Sequence, residues 1–213
     1  MVVEELERWV DRRVASPNCD DRPAGMPISL VVLHAISLPP EVFGGDAVER
    51  LFTNTLDPAA HPAFASLEGL RVSAHYFIRR DGETIEFVPP DRRAWHAGLS
   101  CWEGRERCND FSVGIELEGS DRQPFTAAQY ERAAALVASL VRRYPSIDSV
   151  AGHCHVSPVR KTDPGPFFDW HRFTALLPLT LVMRLRIAGL VSGRFLPLLL
   201  SQGCNNRGPV ERS

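Results

Sequence analysis

The chain has no long apolar segment of the kind that spans a membrane or directs secretion. Its first residues, MVVEELERWVDRRV, are charged throughout and lack the apolar core of a signal peptide. The most apolar part, residues 174–213, is interrupted by Pro178, Arg184, Arg186 and Arg194, and no run reaches the roughly 18 residues of a transmembrane helix. We therefore expect a cytoplasmic protein without a transmembrane span.

Cysteines are few and scattered, and an excess of basic charge is also missing. The five cysteines are odd in number and contain no C-x-x-C spacing, which argues against a disulfide framework and against a Cys₄ zinc site, so we expect free thiols. The formal net charge is −2, with 23% charged residues, and therefore gives no reason to expect a nucleic acid partner.

The length of the chain, 213 residues, is enough for one domain with a substantial core. We expect that domain to occupy residues 1–173 and to be followed by an apolar, basic tail over residues 174–213. The sequence does not predict the structure of this tail. Its apolar runs and arginines suggest at most a weak contact with a membrane surface or another protein.

The apolar pattern predicts an α/β fold. Residues 28–33 form a continuous apolar run of strand length, residues 112–118 alternate strictly, and residues 149–152 form a short strand of small residues. Two further strands, residues 72–79 and 84–88, flank Asp81-Gly82, a dipeptide typical of hairpin turns with positive φ at both central positions. Residues 126–143 predict the best helix, with a capping box from Thr126 to Gln129 and a stop at Pro145.

One stretch, AGHCHVSPVRKTDPGP at residues 151–166, concentrates groups that bind metals. Its prolines and glycine exclude a helix interior and predict a rigid loop that presents His153, His155, Lys161 and Asp163. Imidazole nitrogen and carboxylate oxygen are zinc ligands, and a catalytic zinc site uses about three of them while leaving a position open. The alternative is a surface loop whose histidines and lysine are solvated.

Two other residues fall at the ends of predicted strands, where ligands gather in open α/β sheets. His34 follows residues 28–33, and Glu116 lies near the end of residues 112–118 on the face opposite the apolar set. If these strands neighbour residues 149–152, then His34, His153 and Asp163 could bind one Zn²⁺, which activates water by lowering its pKa to roughly 7. Glu116 would be the general base, and Lys161 would stabilise the oxyanion or protonate the amine.

A second ligand set stays open on this reasoning. His153 and His155 are two residues apart, so in an extended segment both would point to one side and could chelate the same ion. Asp163 would then only support a ligand. His75, inside a predicted strand, is better explained as a structural residue.

Several ordered blocks, from about Trp9 to Phe173, resemble the zinc N-acetylmuramoyl-L-alanine amidases, a family shared with phage lysozyme-like amidases and peptidoglycan recognition proteins. The matching blocks are SLVVLH, ISLPPEVFGG, RVSAHYFIRRDGE, RAWHAG, GRERCNDFSVGIELEG and RKTDPGP. The resemblance implies a central mixed β-sheet flanked by helices and one zinc per chain, held at His34, His153 and Asp163. It also implies catalytic roles for Glu116 and Lys161.

The resemblance further implies a muropeptide substrate, cleaved at the amide between anhydro-N-acetylmuramic acid and L-alanine during cell wall recycling. Arg71 and Arg107 match positions suited to binding the peptide carboxylates, because a guanidinium pairs with a carboxylate through two hydrogen bonds. Trp95 could pack against sugar or peptide, although such a residue also commonly anchors packing. A non-catalytic module that binds peptidoglycan fragments is the alternative function.

Overall fold

A seven-stranded mixed sheet is the centre of the protein in a computed structural model, which describes residues 6–190. The sheet order is β1-β5-β4-β9-β3-β10-β11, and β2-β6 and β7-β8 form two small sheets. The strands are β1 Arg12–Arg13, β2 Cys19–Asp21, β3 Leu30–Ile36, β4 Tyr76–Ile78, β5 Thr84–Glu86, β6 Arg92–Ala94, β7 Cys101–Trp102, β8 Arg105–Glu106, β9 Ser112–Glu118, β10 Ser149–Gly152 and β11 Arg186–Ile187. The helices are α1 Ala47–Phe52, α2 Ala127–Arg143, α3 His153–Val156, α4 Trp170–Ala175 and α5 Leu179–Val182.

The middle of the sheet is parallel, and its register brings the predicted site strands together. β3 lies between β9 and β10, and both pairings are parallel. His34 is the direct partner of Glu116, and Gly152 is the partner of Leu33. The mixed sheet and the adjacency of the three strands are therefore confirmed. The strand expected to stop before His34 continues to Ile36, so His34 lies inside β3.

The helix α2 covers one face of this sheet. The alternating residues Val113, Ile115 and Leu117 of β9 lie in the same core cluster as the apolar side of α2. Both halves of the predicted capping box are present, since Thr126 Oγ1 accepts the N–H of Gln129 and Gln129 Oε1 accepts the N–H of Thr126. The opposite face of β9 is left for Gly114 and Glu116.

The hairpin between β4 and β5 is confirmed, but the predicted turn type is wrong. Of the two turn residues, only Gly82 has a positive φ, at 94°. The N–H of Gly82 donates to the carbonyl of Arg79, and the N–H of Arg79 donates to the carbonyl of Glu83. This is a longer loop that ends in a left-handed glycine, which leaves Asp81 in an ordinary conformation. The paired segments are also shorter than predicted.

Part of the predicted tail belongs to the core. Leu177, Leu181, Leu185 and Ile187 are buried in the main cluster, and β11 pairs in parallel with β10 at the edge of the sheet. Apolar residues after 173 therefore extend the domain at least to residue 190. Residues 191–213 lie outside the described part, as does any membrane or protein contact made by them. Over residues 6–190, no helix is long and apolar enough to cross a membrane.

The cysteines only partly follow the expectation of free thiols. Cys19, Cys108 and Cys154 are free. Cys101 takes part in a disulfide bond, so the expectation is wrong at that position. Sequence spacing alone does not reveal such a pairing, because it depends on which loops the fold brings together.

Replacement of Thr126 by alanine tests the start of α2. The hydroxyl accepts the N–H of Gln129 and donates to the carbonyl of Arg80, so its loss removes a helix cap and a link to the hairpin. We expect urea unfolding to show a loss of about 1–2 kcal/mol in the free energy of unfolding. Thr53→Ala, at the end of the short helix α1, is the matched control and should change it by less than about 0.5 kcal/mol. Equal effects of the two substitutions would contradict this account.

Candidate metal centre

Three electron-pair donors converge at one edge of the central sheet. The Nδ1 atoms of His34 and His153 are 3.0 Å apart, and Oδ2 of Asp163 lies 3.2 Å from the first and 3.1 Å from the second. Both histidines are buried, and the side chain of Asp163 is 17% exposed. The structure thus brings together the three residues that the sequence suggested as ligands.

The loop that carries Asp163 is held against the end of β10 by backbone contacts. The N–H of Cys154, in the first turn of α3, donates to the carbonyl of Asp163 over 2.8 Å. A Cβ on Gly152 would lie 2.6 Å from Cδ of Pro164, so only glycine allows this approach. The ligand position of Asp163 is therefore set by the end of the strand that presents His153.

These donors fit a divalent metal ion. A tetrahedral site with bonds of roughly 2.0–2.1 Å has ligand atoms about 3.3 Å apart, close to the distances between the three donors. Nε2 of His153 lies 3.1 Å from the carbonyl oxygen of Ala97, which can only accept, so in the neutral ring Nδ1 carries a free lone pair. Two facing imidazole nitrogens and a carboxylate repel one another unless a cation lies among them.

The rival set of His153 and His155 does not form, because residues 153–156 are a helical turn and the segment is not extended. Residues two apart in a helix do not face each other. Nδ1 of His155 instead accepts the N–H of Gly152 over 2.9 Å, and its ring packs against Trp170. Within the described residues, the only cluster suited to a metal contains Asp163 and not His155.

Glu116 faces the same site from β9. Its Oε1 lies 3.9 Å from Nδ1 of His34, while Oε2 is buried without a hydrogen-bond partner among the described groups. Burial raises the pKa of Glu116 well above its usual range, and the charge of Asp163 adds to this effect. An unpaired carboxylate in such a place is able to take up a proton.

Lys161 and Asp163 bring opposite charges to this site. Lys161 is close enough for its ammonium group to lower the pKa of both Glu116 and His34. Burial opposes ionisation of Asp163, but a proton held against its carboxyl by Nδ1 of His153 or His34 outweighs burial and holds its pKa far below its usual range. Asp163 is therefore an anion at neutral pH, as a metal ligand must be.

Burial keeps His34 and His96 neutral at physiological pH. Burial and then the neighbouring His153 lower the pKa of His34 to about 4. Nε2 of His34 lies 2.9 Å from Nδ1 of His96, a buried residue to which the sequence assigned no role. Burial also lowers the pKa of His96 well below its usual value. The sequence signal for His96 was weak, since it stands in a loop far from the other histidines.

Each of the three residues expected to contact the substrate has different surroundings. Trp95, the residue before His96, is half-buried. Its indole N–H donates to Asp20 over 3.2 Å, which fixes the orientation of the ring. Arg107 is exposed, with a φ of 61°, and pairs with Asp110 at 3.3 Å. Arg71 is exposed and lines a cavity of about 190 Å³. None of the three metal-site residues lines that cavity.

Comparison with known proteins assigns the chain to a family. Residues 24–166 match the family described as N-acetylmuramoyl-L-alanine amidase. The chain belongs to the N-acetylmuramoyl-L-alanine amidase family. The 1,6-anhydro-N-acetylmuramyl-L-alanine amidase AmpD of Citrobacter freundii is 59% identical over 174 residues, which cover 80% of this chain and 93% of that protein.

Solved structures of amidases share the fold. A crystal structure of a selenomethionine derivative of AmpD has a TM-score of 0.77 and 58% identity, and the match covers 78% of this chain and 94% of that one. The amidase AmiD from E. coli, solved with the substrate anhydro-N-acetylmuramic acid-L-Ala-D-gamma-Glu-L-Lys, has a TM-score of 0.52 and 29% identity. That match covers 72% of this chain and 59% of AmiD.

His75, whose ring lies 5.7 Å from that of His96 beside the candidate metal centre, generates a prediction about pH. Its Nδ1 accepts the N–H of Gly114 over 2.9 Å, and burial, followed by the charge of Arg22, lowers its pKa from 6.5 to about 3. Between these values the unfolded chain binds a proton that the folded protein does not. Stability is therefore fully present above pH 6.5 and falls as the pH drops towards 3, by up to about 1.4 kcal/mol per pH unit.

In His75→Asn the amide oxygen can still accept the N–H of Gly114 but does not titrate. We expect urea unfolding between pH 4.5 and 7.5, with chelator present throughout, to give a shallower pH dependence for this variant than for the wild type. Carboxylates common to both proteins cancel in the difference. Parallel curves would show that His75 does not contribute to acid destabilisation.

Proposed function

We propose that this protein is a zinc-dependent amidase that hydrolyses the bond between anhydro-N-acetylmuramic acid and L-alanine in muropeptides. The convergence of His34, His153 and Asp163 within 3.2 Å carries the proposal, because it offers one ion three ligands and leaves a coordination position open. The names of the AmpD relatives and the substrate bound to AmiD support the choice of bond. As the family resemblance implies, we assign the reaction to cytoplasmic recycling of cell wall fragments.

The proposed roles follow from the positions of the side chains. Held by His34, His153 and Asp163, zinc would lower the pKa of water to about 7 and so ease removal of its proton at neutral pH. Glu116, whose buried oxygen has no partner among the described groups, accepts the proton of the attacking water and delivers it to the leaving nitrogen. The raised pKa of Glu116 suits both halves of this task.

Lys161 is assigned to the developing negative charge. Its ammonium acts electrostatically on Glu116 and His34, which lie where the substrate carbonyl is proposed to bind. A fixed positive charge in a site shielded from water stabilises an oxyanion more strongly than it would in solution. Lys161 is therefore the proposed group that stabilises the oxyanion.

Replacement of Glu116 by glutamine tests the general base. Glutamine keeps the size of the side chain but cannot take up the proton, so we expect the turnover number to fall about 10²- to 10⁴-fold while the zinc content stays near one per chain. The measurements are release of L-alanyl peptide from anhydromuropeptide and metal analysis of the same sample. Glu106→Gln, at an exposed position of β8, is the matched control and should keep full activity.

The outcomes separate the two candidate functions. Retained turnover in Glu116→Gln would remove Glu116 from the mechanism. A wild-type protein that holds zinc and binds the muropeptide but releases no peptide would instead support the non-catalytic binding module.

Removal of zinc by a chelator should abolish hydrolysis, and added zinc should restore it.

Arg107 is the proposed contact for a peptide carboxylate. Its guanidinium is exposed and pairs with Asp110 through Nε, so its terminal nitrogens can reach a ligand. Arg107→Ala should raise KM about tenfold with little change in kcat, because a contact kept in both ground and transition states affects binding alone. The measurement is steady-state hydrolysis of a muropeptide. Arg50→Ala, on the exposed side of α1, is the control. A fall in kcat with unchanged KM would contradict a role in binding.

A further inference from the structure

A series of buried polar groups leads from His34 away from the metal centre. Nε2 of His34 lies 2.9 Å from Nδ1 of His96, and Nε2 of His96 lies 3.2 Å from the hydroxyl of Ser112. That hydroxyl lies 2.6 Å from the carbonyl oxygen of Cys108. His34, His96 and Ser112 are 1%, 9% and 0% exposed, so solvent offers them few alternative partners. We call these four groups the His96 relay.

The carbonyl at the inner end determines the direction of every hydrogen bond in the His96 relay. A carbonyl only accepts, so the Ser112 hydroxyl donates its hydrogen to Cys108 and can only accept from the other side. Nε2 of His96 therefore carries the proton that it donates to Ser112. In a neutral ring Nδ1 of His96 is then an acceptor, and His34 must donate to it from Nε2.

The position of the His96 ring is fixed by groups other than His34. Asn109 Oδ1 accepts the backbone N–H groups of His96 and Ala97, at 3.1 and 2.8 Å. The ring lies against Gly114 of β9, where a Cβ would come within 2.4 Å of Cγ of His96. The strand thus leaves a gap in which this ring fits, and these contacts hold its Nδ1 in place without help from His34.

We propose that His96 is a positioning residue that holds His34 in the tautomer with Nε2 protonated and Nδ1 free to bind the metal. Ser112 determines the orientation of this hydrogen bond. The inference rests on the metal centre of the proposed function. His153 meets the same requirement through a single backbone carbonyl, that of Ala97, so both imidazoles present Nδ1 to the ion. Groups that orient metal ligands in this way commonly affect affinity about 10- to 100-fold.

The affinity for Zn²⁺ and the absorption spectrum with Co²⁺ in its place test the His96 relay. His96→Phe keeps a ring beside Gly114 but has no acceptor, so we expect zinc binding to weaken about 10- to 100-fold and the cobalt spectrum to change. In His96→Asn the amide oxygen can occupy the place of Nδ1 and accept from His34, and affinity should recover to within a few-fold of the wild type. Equal losses in the two variants would overturn the proposal.

Ser112→Ala is a milder, independent variant. Without the hydroxyl, His96 loses the acceptor that fixes its tautomer, and zinc affinity should fall although every ligand and the His96 ring remain. Ser139→Ala removes another buried hydroxyl, on α2, and is the matched control that should leave affinity and spectrum unchanged. If His96→Phe fails to fold, Ser112→Ala decides, and wild-type affinity and cobalt spectrum in that variant would overturn the proposal.

Ring nitrogen shifts in ¹⁵N NMR provide a readout that does not depend on metal binding. In metal-free protein at pH 8 we expect His34 and His96 to carry their protons on Nε2, and Ser112→Ala to alter this pattern. A proton on Nδ1 of His34 in the wild type would overturn the proposal. A wild-type protein that shows the expected tautomers but binds no zinc would contradict the proposed function and leave the His96 relay supported.

Discussion

The parallel pairing of β9, β3 and β10 is the constraint on which the rest of the site depends. Its register places His34 beside Glu116, and β10 ends next to Leu33 so that His153 follows at the same edge. A shift of one residue in either pairing would turn these side chains to the opposite face. The apolar residues that pack under α2 therefore fix the position of the polar ones. The same strands therefore determine both the packing of the core and the geometry of the site.

Much of this arrangement could be predicted from sequence, because clear apolar patterns mark β3, β9 and β10 and place His34, Glu116 and His153 at or near the carboxyl ends of these strands. His96 could not, since its role depends on Gly114, a residue 18 positions away that leaves room for its ring. The predictions of a two-residue turn at Asp81-Gly82 and of a non-helical loop at His153 were also wrong. Such short segments adopt the local conformation that their tertiary contacts select. The sequence also predicts a separate tail after residue 173, because it does not show that these residues pack on the core and pair with β10.

The site gathers groups that the folded protein stabilises poorly without a cation. His34 and His153 are buried and face each other, while Asp163 stays ionised between them and Glu116 has an oxygen without a partner among the described groups. Each of these features costs free energy in the absence of a ligand. A bound divalent ion would offset part of that cost, so folding and metal binding stabilise each other. The fold tolerates the arrangement because the large core under α2 lies on the opposite face of the sheet.

The backbone of residues 96–99 contributes to the position of all three candidate ligands. The carbonyl of Ala97 accepts from Nε2 of His153 and from the guanidinium of Arg160, and so orients one ligand and anchors the loop that carries another. The carbonyl of Leu99 accepts from Arg160 and from Ser157, which secures the same loop a second time. Since the ring of His96 in this segment contacts His34, all three candidate ligands depend on one short piece of backbone. A displacement there would therefore change the whole coordination geometry, because no ligand is oriented independently of the other two.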